Sequence, residues 1–221
     1  MPRELLDAEL RELQDEVLIL GSMVDKAIDR AVTALKCRDL QASQRIVEDD
    51  EEINRKRFAI EESALRLIAT QQPMAGDLRT IVTILYLVVD LERMADHAEG
   101  IAKISLMIGD EPLLKPLVDI PRMSSRAREM LRAALDAYVA RDAEAAQRIA
   151  AEDDEVDLLY DQVYRDLVAL MVKDPSTIER ATYLLWAAHN LERIADRVTN
   201  ICERVVFAVT GRLTEMNVSK Y

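Results

Sequence analysis

Three acidic pairs and one Asp/Asn pair at helical spacing mark the places where this chain could do chemistry. Glu92 and Asp96 are four residues apart, as are Glu192 and Asp196. At that spacing both members of a pair share one helical face, and like charges there cost about 0.2–0.5 kcal/mol. The same local cost, met twice, points to a compensating cation. A second acidic run lies upstream of each pair: Glu48 to Glu52 followed by Asn54, and Glu152 to Glu155 followed by Asp157. Asp50 with Asn54, and Asp153 with Asp157, are again four apart. If the two helices of each set lie side by side, the pairs face each other and form an oxygen-rich site for a hard cation such as Mg²⁺, Ca²⁺, Mn²⁺ or iron. His97 and His189 are the only histidines, which excludes an imidazole-rich zinc site. The alternative is a solvated acidic face on which Arg93 and Arg193, at i, i+3, neutralise Asp96 and Asp196 without metal.

The elements that must position these residues occur twice. Ala34-x3-Arg38-Asp39-x2-Ala42-x-Gln44-Arg45-Ile46 lies over Ala137-x3-Arg141-Asp142-x2-Ala145-x-Gln147-Arg148-Ile149. Leu91-Glu92-Arg93-Met94-Ala95-Asp96 lies over Leu191-Glu192-Arg193-Ile194-Ala195-Asp196. Two blocks in one order at nearly one offset read as a duplicated domain. Within each copy the apolar period is helical, as in the stripe Val17, Leu20, Val24, Ala27, Ile28, Ala31 and Leu35. The expected helices run over 5–36, about 40–70 and through 81 to 108, then 122–139, 142–172 and 176–210. Turns fall at Arg38-Asp39, Gln72-Pro73, Gly109 to Pro112 and Asp174-Pro175-Ser176, and Gly211 closes the last helix. The expected fold is all-α: a tandem duplication of an antiparallel three-helix bundle, six long helices in all. Residues 1–110 form the first bundle, 117–212 the second, and 213–221 a flexible tail.

Composition narrows the function classes. Half the chain is hydrophobic, while five glycines and six prolines are too few for a strand-rich protein. A net charge of −12 repels phosphate backbones, so direct nucleic-acid binding is not expected. The most apolar stretch, 81–89, is too short to span a bilayer, and the charged start is no signal peptide. A cytoplasmic protein is expected, touching membranes only through partners. Cys37 and Cys202 read as buried thiols, His189 as a partly buried bundle residue, and Trp186 and Tyr86 as core.

At Gln72-Pro73-x3-Asp77-Leu78-Arg79, Asp50-Glu51-Glu52-Ile53-Asn54, Asp90-Leu91-Glu92-Arg93-x2-Asp96-His97-Ala98 and Asn190-Leu191-Glu192-Arg193-x2-Asp196, the chain resembles the PhoU family of phosphate-uptake regulators. The resemblance covers nearly the whole length. It implies two bundles side by side whose Glu/Asp-x3-Asp motifs hold metal clusters. Metal roles then fall on Glu92, Asp96, Glu192 and Asp196, and beyond them on Asp50, Asn54, Asp153 and Asp157. The metal is a divalent or trivalent ion: iron, Mg, Mn, Ca or Zn. The resemblance also implies a homodimeric negative regulator of the phosphate-starvation response, an adaptor between the ATPase subunit of a phosphate ABC transporter and a sensor histidine kinase. The family often carries Gly-Asp-His in both copies. Here the residues are Ala95-Asp96-His97 and Ala195-Asp196-Arg197, so Arg197 should weaken the second site.

The residues themselves do not demand a reaction. There is no Gly-rich phosphate cradle and no nucleophile elbow. A carboxylate-bridged di-iron enzyme would use Glu-x-x-His motifs, which the chain lacks. The catalytic expectation is none. The other alternative is an accessory regulator of a simple phosphate permease, with the same fold and a different partner.

Overall fold

The computed structural model describes residues 2–216. Part of the expected tail, 217–221, lies outside the described residues. Helix α1 spans Pro2–Cys37, α2 Leu40–Gln71 and α3 Ala75–Ile108. After a ten-residue connection come α4 (Asp119–Ala140), α5 (Ala143–Ala150), α6 (Asp153–Lys173), a 3₁₀ turn at Pro175–Thr177 and α7 (Ile178–Thr210). No strand occurs among the described residues.

Each copy turns its first corner with the same two residues. Arg38 and Arg141 end α1 and α4 in the left-handed conformation, at φ 57° and 53°. Asp39 and Asp142 then cap the next helix, their carboxylates accepting the backbone N–H of Ala42 at 2.8 Å and of Ala145 at 2.9 Å. The two arginine side chains tie these corners to distant backbone. Arg38 donates to the Asp110 carbonyl at 3.3 Å, and Arg141 to the Ala208 carbonyl of α7 at 2.9 Å. Gly211, at φ 75°, closes α7 by donating to the Phe207 carbonyl at 2.8 Å. At the last turn between helices Asp174 caps by accepting from the Ser176 N–H.

The expected sixfold plan has one departure. The helix expected over 142–172 is broken at Ala151 and Glu152, while its counterpart α2 runs unbroken through Glu48 to Glu52. The break puts Asp153, Asp154 and Glu155 into the first turn of α6, where carboxylates meet the positive end of the helix dipole. Arg126 of α4 holds the break, its guanidinium 3.2 Å from Glu152 and 2.8 Å from Glu155.

Within the first copy α1, α2 and α3 pack on one another; within the second, α4, α5, α6 and α7 do. The copies join through α3 against α7, the most extensive helix pairing in the molecule, and through α1 against α4. Every residue of the expected α1 stripe except the partly buried Ala27 is fully enclosed. The buried side chains form one continuous core from Leu6 to Val206 that runs through both copies. Gly21 lets α1 approach α4, since a Cβ there would meet the Leu135 Cδ1 at 2.4 Å. Beside it Arg128 grips Asp25 with two nitrogens, at 2.9 and 3.2 Å, and also contacts Asp29.

Three readings of individual side chains need correction. Cys37 is exposed; Cys202 is buried as expected, and both are free thiols. Tyr86 and Trp186 are half exposed instead of core. His189 is exposed. In each case the residue lies on a helix whose apolar stripe is broad, so hydrophobic identity alone did not decide which edge of the stripe faces solvent. The tail bends back over α7, where the Met216 N–H donates to Glu203 at 2.8 Å.

Candidate functional site: paired carboxylate clefts

In the first copy, α2 and α3 bring Asp50 opposite the acidic stripe of α3. Asp50's carboxyl is pushed up to about 6, first by burial and then by Glu99, Asp96 and Glu92. Asn54 donates to the Asp50 carboxylate at 2.8 Å and so fixes its orientation. A cleft of about 190 Å³ opens beside Asp50, lined by Asp49, Glu52 and Glu99 and bounded on the α1 side by Lys26 and Arg30. Arg57, one turn beyond Asn54 on α2, reaches Glu92 at 3.4 Å. Arg93 stands 3.7 Å from Asp96, and Lys103 2.6 Å from Glu99. The i, i+3 neutralisation expected from the spacing is therefore present.

The second copy repeats the arrangement with α6 and α7. Glu192 is pushed up to about 7, first by burial, then by Asp196, with Asp157 of α6 adding to the rise. Asp157 thus lies within electrostatic reach of Glu192. Asp153 is enclosed at the start of α6, 2 % exposed. Arg193 holds Asp196 at 3.0 Å. Asp196 is itself raised by burial, against the pull of Arg193, Arg197, His189 and His97.

The pairs are less exposed than a surface stripe would be. Glu92 and Glu192 show only 13 % and 18 % of their side chains to solvent. In both copies the same atom, Glu92 Oε2 and Glu192 Oε2, is buried and accepts no hydrogen bond. Arg93 Nε at 3.9 Å and His189 Nδ1 at 3.1 Å stand nearby without meeting hydrogen-bond geometry. A buried carboxylate oxygen without a partner is costly. The same orphan in both copies fits a hard-cation donor, and the neighbouring carboxylates are of the kind such an ion takes. Among the described residues no three acidic, imidazole or thiolate side chains converge as a coordination sphere. A cation would have to draw Glu92 from Arg57 and Asp96 from Arg93.

Sequence reasoning missed the polar seam between the clefts. Asp90 of α3 is bound by Arg197 at 3.4 Å and Asn200 at 3.3 Å, both on α7. A hundred residues on, Asn190 of α7 is bound by His97 of α3 at 2.9 Å, with Gly100 where a side chain would press on Asn190. The two contacts exchange partners between copies, as a pseudo-twofold axis between antiparallel α3 and α7 requires. Arg197 is thus directed to Asp90 in the first copy, although its charge still lowers Asp196. The signal was present in the aligned repeats: the charged pair 90/197 is matched by the neutral pair 190/97.

A duplicated all-helical bundle that sets a Glu-x3-Asp pair of its last helix beside an acidic middle helix in each repeat defines a class of protein. The PhoU domain model matches residues 17–105 and 120–205, one match per copy. The phosphate-specific transport system accessory protein PhoU homolog of Clostridium acetobutylicum is 37 % identical over 218 residues, spanning 98 % of this chain and all of that one. The PhoU protein of Escherichia coli is 34 % identical over 206 residues, spanning 93 % and 86 %. The crystal structures of PhoU from Streptococcus pneumoniae and Pseudomonas aeruginosa each superpose with a TM-score of 0.88 at 35 % identity, covering 95 % and 93 % of this chain and 99 % of theirs. The chain belongs to the PhoU domain family.

Proposed function

We propose that this protein is an accessory regulator of a phosphate-specific transport system, and that it acts as an adaptor. One side of the adaptor meets the ATPase subunit of the transporter and the other a sensor histidine kinase, with repression of the starvation response as the output. The observation that carries the reading is near end-to-end similarity, over both repeats, to proteins named as phosphate transport accessory proteins. None of the described helices is long and apolar enough to cross a membrane, which agrees with contact to the transporter through a subunit. The second cleft element, a metal ion held by Glu92 and Asp96 with Asp50, and by Glu192 and Asp196 with Asp157, would neutralise the crowded carboxylates. The chain's own contribution is to hold these oxygens on two helices so that charge at the cleft sets how tightly the helices pack. Nothing in the clefts favours an enzyme: no nucleophile is paired with a base.

The test is co-purification of the tagged protein with the transporter ATPase and the sensor kinase from phosphate-replete cells. Recovery of both, together with loss of repression on deletion, is the expected result. Recovery of neither partner, with repression intact after deletion, would sink the adaptor.

A further inference from the structure

We infer that the aromatic stripe on the outer face of α7, centred on Trp186, docks an arginine-bearing segment of a partner protein. This rests on the adaptor reading in that it requires a partner. Tyr183, Trp186 and His189 follow one another at three-residue steps, with ring centroids of Tyr183 and Trp186 5.7 Å apart. Tyr160 of α6 extends the surface, its ring 6.1 Å from that of His189. Trp186 is 48 % exposed. The chain has one tryptophan and 4 % aromatic residues overall, so such a concentration on one face is unusual for it. An exposed Trp held between tyrosines that are partly buried against the core has the make-up of an interface anchor.

The pseudo-twofold axis says what the stripe takes. The counterpart of Trp186 in the first copy is Tyr86, also half exposed, and one face of its ring already carries an arginine: Arg204 of α7 lies with its guanidinium carbon 4.4 Å from the ring centroid. The counterpart of Arg204 is Ile104, which is buried and carries no charge. The described cation–π contacts are Arg204 on Tyr86 and Arg57 on Phe58, leaving Trp186 as the larger ring at the position where the intramolecular arginine is missing. Tryptophan is the best ring for such a contact. Charge agrees. Glu179 accepts the Tyr183 hydroxyl at the edge of the stripe, while the neighbouring bases Arg180 and Arg193 are engaged by Glu111 and Asp196. Arginine is favoured over lysine because its planar guanidinium stacks on the ring and still reaches a carboxylate.

Trp186 reports directly, since all tryptophan emission comes from it. The probe is a capped peptide, Gly-Leu-Arg-Leu-Arg-Leu-Gly, with its lysine counterpart as control, titrated into the full chain. Saturable change of emission at tens to hundreds of micromolar is expected, with the lysine peptide at least about fivefold weaker. By calorimetry, Trp186→Ala should abolish binding, Trp186→Phe should retain part of it, and Glu179→Gln should weaken it severalfold. Circular dichroism should be unchanged in all three, because the side chains are exposed. Equal binding of both peptides, no binding, or binding that survives Trp186→Ala would overturn the assignment. Self-association abolished by Trp186→Ala would make a second copy of the chain the occupant, and would also overturn it. In the co-purification above, partners retained by Trp186→Ala would remove this surface while leaving the adaptor standing; partners lost only in that variant would support both.

Discussion

Glu92 and Glu192 each carry a buried oxygen that nothing satisfies, and this sets the behaviour expected of single residues. Replacing Glu92 and Asp96 by alanine should lower cation content at the first cleft at least about tenfold without unfolding the protein. Elemental analysis after loading with Mn²⁺ or iron, with circular dichroism alongside, measures both halves of that statement. Unchanged content in the double variant would remove the assignment. Glu192 also predicts a pH effect. Its folded value of about 7 stands above the usual 4.5, so the native state holds the proton more tightly and its contribution to stability falls as pH rises from about 5 to about 8. His97 and His189 are depressed, first by burial, and act in the opposite sense as pH falls through the ordinary histidine value. Comparing Glu192→Gln with the parent in a His189→Ala background removes the histidine that stands 3.1 Å away and cancels His97: in chelator, the variant should gain in relative melting temperature with rising pH. Added Mn²⁺ should narrow that gap at pH 8. A pH-independent difference would mean that Glu192 ionises normally.

At the scale of elements, the seam between α3 and α7 carries one charged and one neutral contact at equivalent places. Asp90 is buried and raised by that burial, so loss of Arg197 leaves a carboxylate with only Asn200. Arg197→Ala should cost about 1–3 kcal/mol, and His97→Ala distinctly less, read by urea denaturation. Combining Arg197→Ala with Asp90→Asn should recover part of the loss; strict additivity would show that the pair does not interact. This seam shows where sequence reading stopped. Helix periods, the Arg-Asp corners and the facing of Asp50 toward α3 follow from spacing, because 3.6 residues per turn converts a four-residue gap into a shared face. Which helix packs across the copies does not follow from spacing. Arg197 was therefore read only against Asp196 of its own helix, and its bond to Asp90 across the seam was missed. The break at Ala151 and Glu152 was hidden for a related reason, since Arg126, which stabilises it, comes from another helix. Trp186 and Tyr86 were misjudged because on a broad apolar stripe residue type gives the burial of the middle, not of the margins.

The whole molecule behaves as one unit, because its core passes through both repeats without interruption. Thermal unfolding monitored at helical and tryptophan wavelengths should give coincident single transitions. Fragments 1–110 and 117–212, made separately, would expose the apolar faces of α3 and α7, and each should self-associate or aggregate; mixed, they should recover the helical content of the whole. Stable, monomeric, non-interacting fragments would contradict a shared core. The duplicated sequence shows the two halves clearly, and that clarity hides their dependence, since the residues that join them lie on the same stripes that would serve a separate bundle.

The arginines at the two helix corners carry a further consequence. A left-handed backbone at a residue with a side chain costs about 1–2 kcal/mol that glycine would not incur. Arg38 and Arg141 accept this strain, and their guanidinium groups reach across the fold, Arg141 to the end of α7 and Arg38 to the connection between copies. Each corner is therefore a latch: the tie holds the strained backbone, and letting go of the tie favours relaxation of the corner. The first corner of each copy is thereby fastened to backbone some seventy residues further along the chain.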